Sequence, residues 1–357
     1  MFELSNEQRI CFALNPVRSH WECIEAKAGP YDQFKTILYL DGDTAVKCIL
    51  SGDTQYLEYE LSEAVCSDRK YLLPKTAKGK SVLLSSSNIL KRKGTGMRLS
   101  YYNKKICLYS EITECSYYSD CYLNDKISDI SEFSQWVDKW CYESNISDKE
   151  DILAFSKKKR KHVRYKEGDV FRFKIGRRHY GYGRIILDYN IMRKSKEPFW
   201  DILMSTPVVC SVYHIVTDRP DVSVSELSML CSLPSTIITD NSLFYGEFEI
   251  IGNIPVADEE DYPIMYGNSI VFGKTAVCYQ CGKTFRTIEN KTALYPQFTN
   301  NSVSFSLNFT LDILLNCISE NSNAPYWTNY NTYCVNTDLR NPKHAEKLKI
   351  VKEQFGL

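Results

Sequence analysis

Several features that would settle a function quickly are missing from this 357-residue sequence. It has no run of about 18 consecutive apolar residues, the length a membrane-spanning helix needs. Its opening, MFELSNEQRICFALNP, has no basic stretch leading into an apolar one, so it does not read as a secretory signal. The expected location is therefore the cytoplasm, with no membrane partner. Neither charge is in excess, because 44 Lys+Arg stand against 44 Asp+Glu. That balance excludes a generally basic coat for nucleic acid and leaves only local patches. No repeat period and no low-complexity tract is visible. The histidines, His20, His162, His179, His214 and His344, are isolated and sit in no recognisable signature. Lys93-Gly94-Thr95-Gly96 is a lone GxG without the spacing or the following Lys-Ser/Thr of a P-loop. With no convergent nucleophile and base in view, the expectation is a protein that is not an enzyme and holds no cofactor.

Cysteine is plentiful, at 14 residues, but scattered. In a reducing compartment most should be free thiols that pack as small hydrophobes. The one close pair is Cys278-Tyr-Gln-Cys281, and no second CxxC or HxxxH follows it. A zinc site needs about four ligands, so no metal site is expected and the pair reads as two residues in or beside a strand. Four Asn-x-Ser/Thr sequons, at Asn145, Asn290, Asn300 and Asn308, carry no weight without secretion.

What the sequence does contain is a β-rich pattern. Phe34–Leu40 and Thr44–Leu50 flank Asp-Gly-Asp, a hairpin signal. Tyr56–Leu61 alternates as a third strand, Ser81–Leu84 is a short one, and Met97–Tyr102 and Ile106–Tyr109 flank another turn. A helix follows at Ser131–Tyr142, where Phe133, Trp136, Val137, Trp140 and Cys141 form one stripe with Ser131 placed to cap it. Ser147-Asp148-Lys149-Glu150 has the form of a capping box for a second helix. Then Lys157–Arg164 carries six permanent cations in eight residues and marks a junction. The expected domains are 1–155, β-rich and ending in helices, and 156–357.

The second region opens with Gly168-Asp169-Val170-Phe171-Arg172-Phe173-Lys174-Ile175, which puts Phe171, Phe173 and Ile175 on one face. The return strand, Tyr180-Gly181-Tyr182-Gly183-Arg184-Ile185-Ile186-Leu187, carries two glycines. These are costly unless a bulge or a close backbone requires them, and a tightly coiled, small-barrel-like sheet would supply that need. Further strands are expected at Trp200–Met204, Val208–Val216, Ser242–Gly252 and Ser269–Tyr279. Helices are expected at Ser223–Met229, at Ser306–Cys317, and after Asn341-Pro342, with Gly356 closing the last. The fold class is α+β, β-rich, with twisted antiparallel sheets and a few peripheral helices in two domains.

From Lys159-Arg160 through Leu187, and again at Phe248–Gly252, Pro255, Asp261-Tyr262-Pro263 and Val277–Gly282, the chain resembles the immunity protein 26 family of bacterial polymorphic toxin systems. Many members of that family carry a tryptophan where Cys281 stands here. The resemblance covers about residues 157–357; the first 150 lie outside it. It implies a toxin inhibitor that pairs with one cognate toxin protein and blocks it by binding, without chemistry of its own.

Three groups of residues could carry binding. Tyr180, Tyr182, Arg184, Trp200 and Tyr213 sit in or near the glycine-punctuated sheet and are of the types that dominate interface hot spots. Asp258-Glu259-Glu260-Asp261 places four carboxylates in a row, suited to steering a cationic partner. The stretch Arg69–Ser110 holds eleven Lys or Arg, among them Lys91, Arg92, Lys93, Arg98, Lys104 and Lys105, with no Asp or Glu. Tyrosines interleave with them, as on a single-strand or RNA platform. Nucleic acid, or an acidic protein partner, is the alternative that this stretch supports.

Overall fold

The structure, a computed structural model, describes residues 2–124, 126–190, 207–268, 275–298, 304–329 and 333–357. The chain divides into two compact units, Met1–Lys161 and His162–Leu357. The strand Trp200–Met204 proposed from sequence lies outside the described residues, as does the start of Ser269–Tyr279.

Unit 1 is built on a seven-stranded antiparallel sheet. Its strands are β1 (Glu22–Glu25), β2 (Phe34–Asp41), β3 (Thr44–Gly52), β4 (Tyr56–Ala64), β7 (Met97–Tyr102), β8 (Lys105–Ser110) and β9 (Cys115–Ser119), in that order across the sheet. A small ladder of β5 (Tyr71–Leu72) and β6 (Val82–Leu83) lies in the long β4–β7 connection. The turn between β7 and β8 is Asn103-Lys104, both at positive φ, 51° and 60°. That is the backbone of a type I′ hairpin, whose twist matches the strands it joins.

Side chains alternate between the two faces of this sheet. One face, with Ile37, Ile49, Tyr56, Leu99, Tyr101 and Leu108, packs against α1 (Asn6–Cys11), α3 (Ile130–Glu143) and α4 (Ile146–Ser156). The stripe read from sequence is the one α3 buries: Phe133, Val137 and Trp140 are interior, and Phe133 stacks on Tyr101 at 5.1 Å. The caps differ by a residue or two from the sequence reading. Asp129, not Ser131, accepts from the first backbone N–H groups of α3, and Asn145 with Asp148, not Ser147 with Glu150, makes the capping box of α4. Aspartate and asparagine cap as well as serine, so several neighbouring positions were equally suitable. On the other face, Leu38, Leu40, Cys48, Tyr59 and Leu61 are covered by the 65–90 connection, including α2 (Ser86–Ile89). Beyond β4 that face is only partly covered: Arg98, Ser100, Cys107 and Tyr109 are half-buried while their neighbours Leu99, Ile106 and Leu108 are interior.

Unit 2 holds an open five-stranded sheet. Its order is β13 (Thr236–Thr239), β12 (Pro207–Val212), β11 (His179–Asp188), β10 (Asp169–Ile175) and β14 (Glu249–Asn253). A three-stranded sheet of β15 (Ile264–Asn268), β16 (Ala276–Cys281) and β17 (Thr284–Glu289) follows. The helix Ala345–Gln354 seals it, with Val351 and Phe355 against Tyr266 and Tyr279. Met265 joins the two sheets through a core with Leu187, Tyr189 and Val209.

The fold is α+β and β-rich, as its sequence pattern indicates, but among the described residues no sheet closes into a barrel. The glycines of β11 have another cause. Gly181 pairs with Phe173 and Gly183 with Phe171 across β10. A Cβ at Gly183 would lie 2.5 Å from the Phe171 ring and 2.6 Å from the backbone oxygen of Ser211. The glycines make room for two phenylalanine rings, and Phe171 in turn stacks on Phe248 at 5.1 Å. The strand expected over Ser242–Gly252 begins instead as a helical turn, Asn241–Phe244; Gly246 at φ 74° turns the chain before β14.

Candidate partner-binding surface

The face of β10 and β11 opposite the phenylalanines carries Val170, Arg172 and Lys174 paired with Arg184, Tyr182 and Tyr180. Its centre is not open. The segment after β12 folds back over it and forms a second core of Val170, Tyr182, Tyr213, Val222 and Leu227. Tyr182 is fully buried and donates its hydroxyl to the Arg219 carbonyl at 2.8 Å. Tyr213 is buried as well, and burial raises the pKa of both phenols. These two tyrosines are therefore interior packing and offer no ring to a partner. Tyr180 is half-buried, with the Arg172 guanidinium 5.3 Å above its ring. Trp200 lies outside the described residues. Alternation along a strand could not separate these cases, because the covering segment, not the strand, decides which side is wet.

The acidic loop after β14 is fixed at two of its four carboxylates. Arg184 reaches from β11 and donates to both Glu260 oxygens at 2.6 Å, and Glu260 also accepts from the Ala257 N–H at 2.9 Å. Both side chains are nearly buried, at 14% and 13% exposure, so this charge-assisted pair holds its geometry. Arg340, far along the chain, donates to Asp261 at 2.9 Å and to Asp338 at 2.7 Å. The Asp261 carboxylate also accepts from the Ser235 N–H. Asp258 and Glu259 remain exposed, and among the described residues neither has an ion-pair partner. The four carboxylates thus divide into two anchors and two free charges. Sequence reading missed Arg340, and no local pattern around Asp338-Leu339-Arg340 would have pointed to a loop 79 positions earlier.

In unit 1 the basic stretch is paired in part. Arg92 meets Glu63 at 3.4 Å, Lys93 meets Glu114 at 2.7 Å and Arg98 meets Glu111 at 2.7 Å. Lys91, Lys104 and Lys105 are exposed. The GxG segment is not a phosphate cradle: the Thr95 N–H donates to the Glu60 carbonyl. Gly94 is required because a Cβ there would meet Glu111 at 2.6 Å and Tyr59 at 3.0 Å.

Cys278 and Cys281 both lie in β16, three residues apart, and therefore point to opposite faces of the strand. Cys278 contacts the Thr287 hydroxyl and Cys281 the Tyr262 carbonyl. Cys11, Cys48, Cys115, Cys210 and Cys317 are buried thiols, while Cys23, Cys121 and Cys231 are exposed.

In two histidines of unit 2 burial disfavours the charged form. The Nε2–H of His214 faces the Asn323 side-chain oxygen at 3.0 Å and that of His344 faces the Asn336 carbonyl at 3.0 Å; each Nδ1 is buried and has no partner among the described residues. Burial lowers both pKa values from the usual 6.5, because a proton on Nδ1 would have no acceptor. A depressed histidine pKa means the unfolded chain binds the proton first, so its stabilising contribution is complete above about pH 6.5 and is lost as pH falls through the native value. The urea midpoint of unit 2 is expected to drop between pH 7.5 and 5.5, and His214→Gln should reduce that slope. A midpoint constant over this range, or an unchanged slope in the variant, would contradict the assignment.

Comparison with known proteins bears on unit 2. The family model of immunity protein 26 matches residues 166–277, from the lead into β10 to the second residue of β16. That segment, with the five-stranded sheet and the acidic loop, is similar to a family of immunity proteins. No curated protein and no solved structure matches the chain. Among the described residues no helix is long and apolar enough to cross a membrane.

Proposed function

We propose that this protein is a bacterial immunity protein of the cytoplasm that binds one cognate toxin and neutralises it by covering its working surface. The observation that carries the reading is the acidic loop of unit 2, within the segment similar to immunity protein 26. Arg184 and Arg340 hold its frame while Asp258 and Glu259 stay unpaired. A loop fixed before contact loses little conformational entropy on binding. Two free carboxylates on it attract a partner that is itself basic, as a surface that handles nucleic acid must be. The half-buried Tyr180 and the Arg172 above it stand on the same sheet face as Arg184 and are proposed as further contacts. Inhibition of this kind needs no proton transfer by the immunity protein.

The test is capture of the product of the adjacent gene by the full chain, followed by binding kinetics. Complex formation should survive nuclease treatment. Asp258→Lys with Glu259→Lys should slow association about 10- to 100-fold at low salt. Most of that difference should vanish near 1 M salt, where charges are screened within about 3 Å. Association unaffected by the double reversal would remove the loop from the interface. Binding abolished by nuclease would favour the nucleic-acid alternative.

A further inference from the structure

The half-covered face of unit 1 contains a cleft of about 290 Å³ between the segment after α2 and strands β4, β7 and β8. That volume is at the small end of ligand sites. We infer that it binds a nucleoside monophosphate. The argument stands on unit 1 alone and is independent of the toxin-binding reading.

The apolar part of the lining comes from Leu57, Leu90 and Tyr109. Tyr59, Arg98 and Tyr109 form one cross-strand row, since Tyr59 pairs with Arg98 and Arg98 with Tyr109. The Arg98 guanidinium lies 4.6 Å from the Tyr109 ring, so a stacked cation and ring line the cleft. A flat layer of this kind is a surface for a nucleobase. Arg98 donates to Glu111 through one terminal nitrogen at 2.7 Å. The carboxylates of Glu111 and Glu114 give the wall several acceptors for the polar edge of a base or a ribose.

The rim supplies the charge. Glu114 is shared by Lys93 and Arg160, at 2.7 and 2.9 Å, so one carboxylate faces two cations. Arg92 is matched by Glu63. Among the described residues Lys91 has no carboxylate within ion-pair distance. Among the described residues of the cleft and its ion pairs, Lys91, Arg92, Lys93, Arg98 and Arg160 face Glu63, Glu111 and Glu114, a surplus of two positive charges. A phosphate monoester carries close to two negative charges at neutral pH, which is the complement. A long strand fits less well. Lys104 and Lys105, which a longer strand would need, are not among the residues that line the cleft.

The test is isothermal titration of the full chain with AMP, GMP, CMP and UMP, with adenosine, inorganic phosphate and a single-stranded DNA dodecamer as comparisons. At least one nucleotide should bind at or below about 1 mM. It should bind at least about tenfold more tightly than inorganic phosphate or the nucleoside. Lys91→Gln with Lys93→Gln changes two exposed side chains and should weaken binding about tenfold or more while the circular dichroism stays that of wild type. Tyr109→Leu should lose the preference for nucleotide over phosphate. Four results would overturn the proposal: no heat with any nucleotide at millimolar concentration; phosphate binding as tightly as nucleotide; a dodecamer that binds more tightly with a steep salt dependence; or undiminished binding in the double glutamine variant.

Discussion

Glutamine in place of Glu58 is expected to destabilise unit 1 by about 3–5 kcal/mol, a large part of the stability of an ordinary domain. Glu58 is completely buried. Its carboxylate accepts from Lys47 Nζ at 2.7 Å, Arg9 Nε at 2.7 Å and the Tyr56 hydroxyl at 2.6 Å. Lys47 is equally buried and Arg9 nearly so. Arg9 also donates to Glu3 at 2.7 Å, where Tyr39 donates as well. Two cations and two carboxylates therefore balance inside one cluster beneath α1. Removing one carboxylate leaves a surplus positive charge with no water to solvate it. Adding Lys47→Met to Glu58→Gln restores the balance, because Arg9 and Glu3 remain as a pair. The double variant should accordingly be more stable than Glu58→Gln alone. Urea unfolding of the three proteins checks the order, and a Glu58→Gln protein within about 1 kcal/mol of wild type would mean that the cluster is not dry.

The second large effect concerns Gly183. Alanine there should cost about 1–3 kcal/mol, the range for overpacking a filled core. The added carbon meets the Phe171 ring on one side and a backbone oxygen of β12 on the other. A smaller residue at 171 relieves only the first contact, so Phe171→Leu should not rescue Gly183→Ala. Gly181 differs, because its close neighbours, Phe173 and Ile175, are side chains. Gly181→Ala should recover in part when combined with Phe173→Leu. Thermal melts of the four variants separate the two cases. Equal rescue at both positions would show that the β11–β12 pairing can shift.

The strands and the main helix of unit 1 were legible because their periods are local. FKTILYL, TAVKCIL and the Phe133–Trp140 stripe each announce one face within a few residues. The strands β13, β15 and β17, of four to six residues, were not read. The glycines of β11 were correctly seen to need a reason, but the reason, two phenylalanines on the partner strand, depends on register. The acidic loop was visible as composition. Its division into anchored and free carboxylates was not, since Arg184 and Arg340 approach it from 76 and 79 positions away. The aromatic residues of β11 looked like a surface because a strand pattern carries no record of what later folds over it.

Arg340 has a bearing on how unit 2 can be shortened. The residues similar to immunity protein 26 end at 277, yet Phe309 packs on Phe173, Ser304 bonds to Ile237 and Thr239 beside β12, and Arg340 clips the acidic loop. A chain cut soon after position 277 would keep every residue of the recognisable motif and still lose the staple that shapes its charged edge. The tail beyond the motif acts as a buckle, so the recognisable segment and the smallest piece able to hold its form are different lengths of chain.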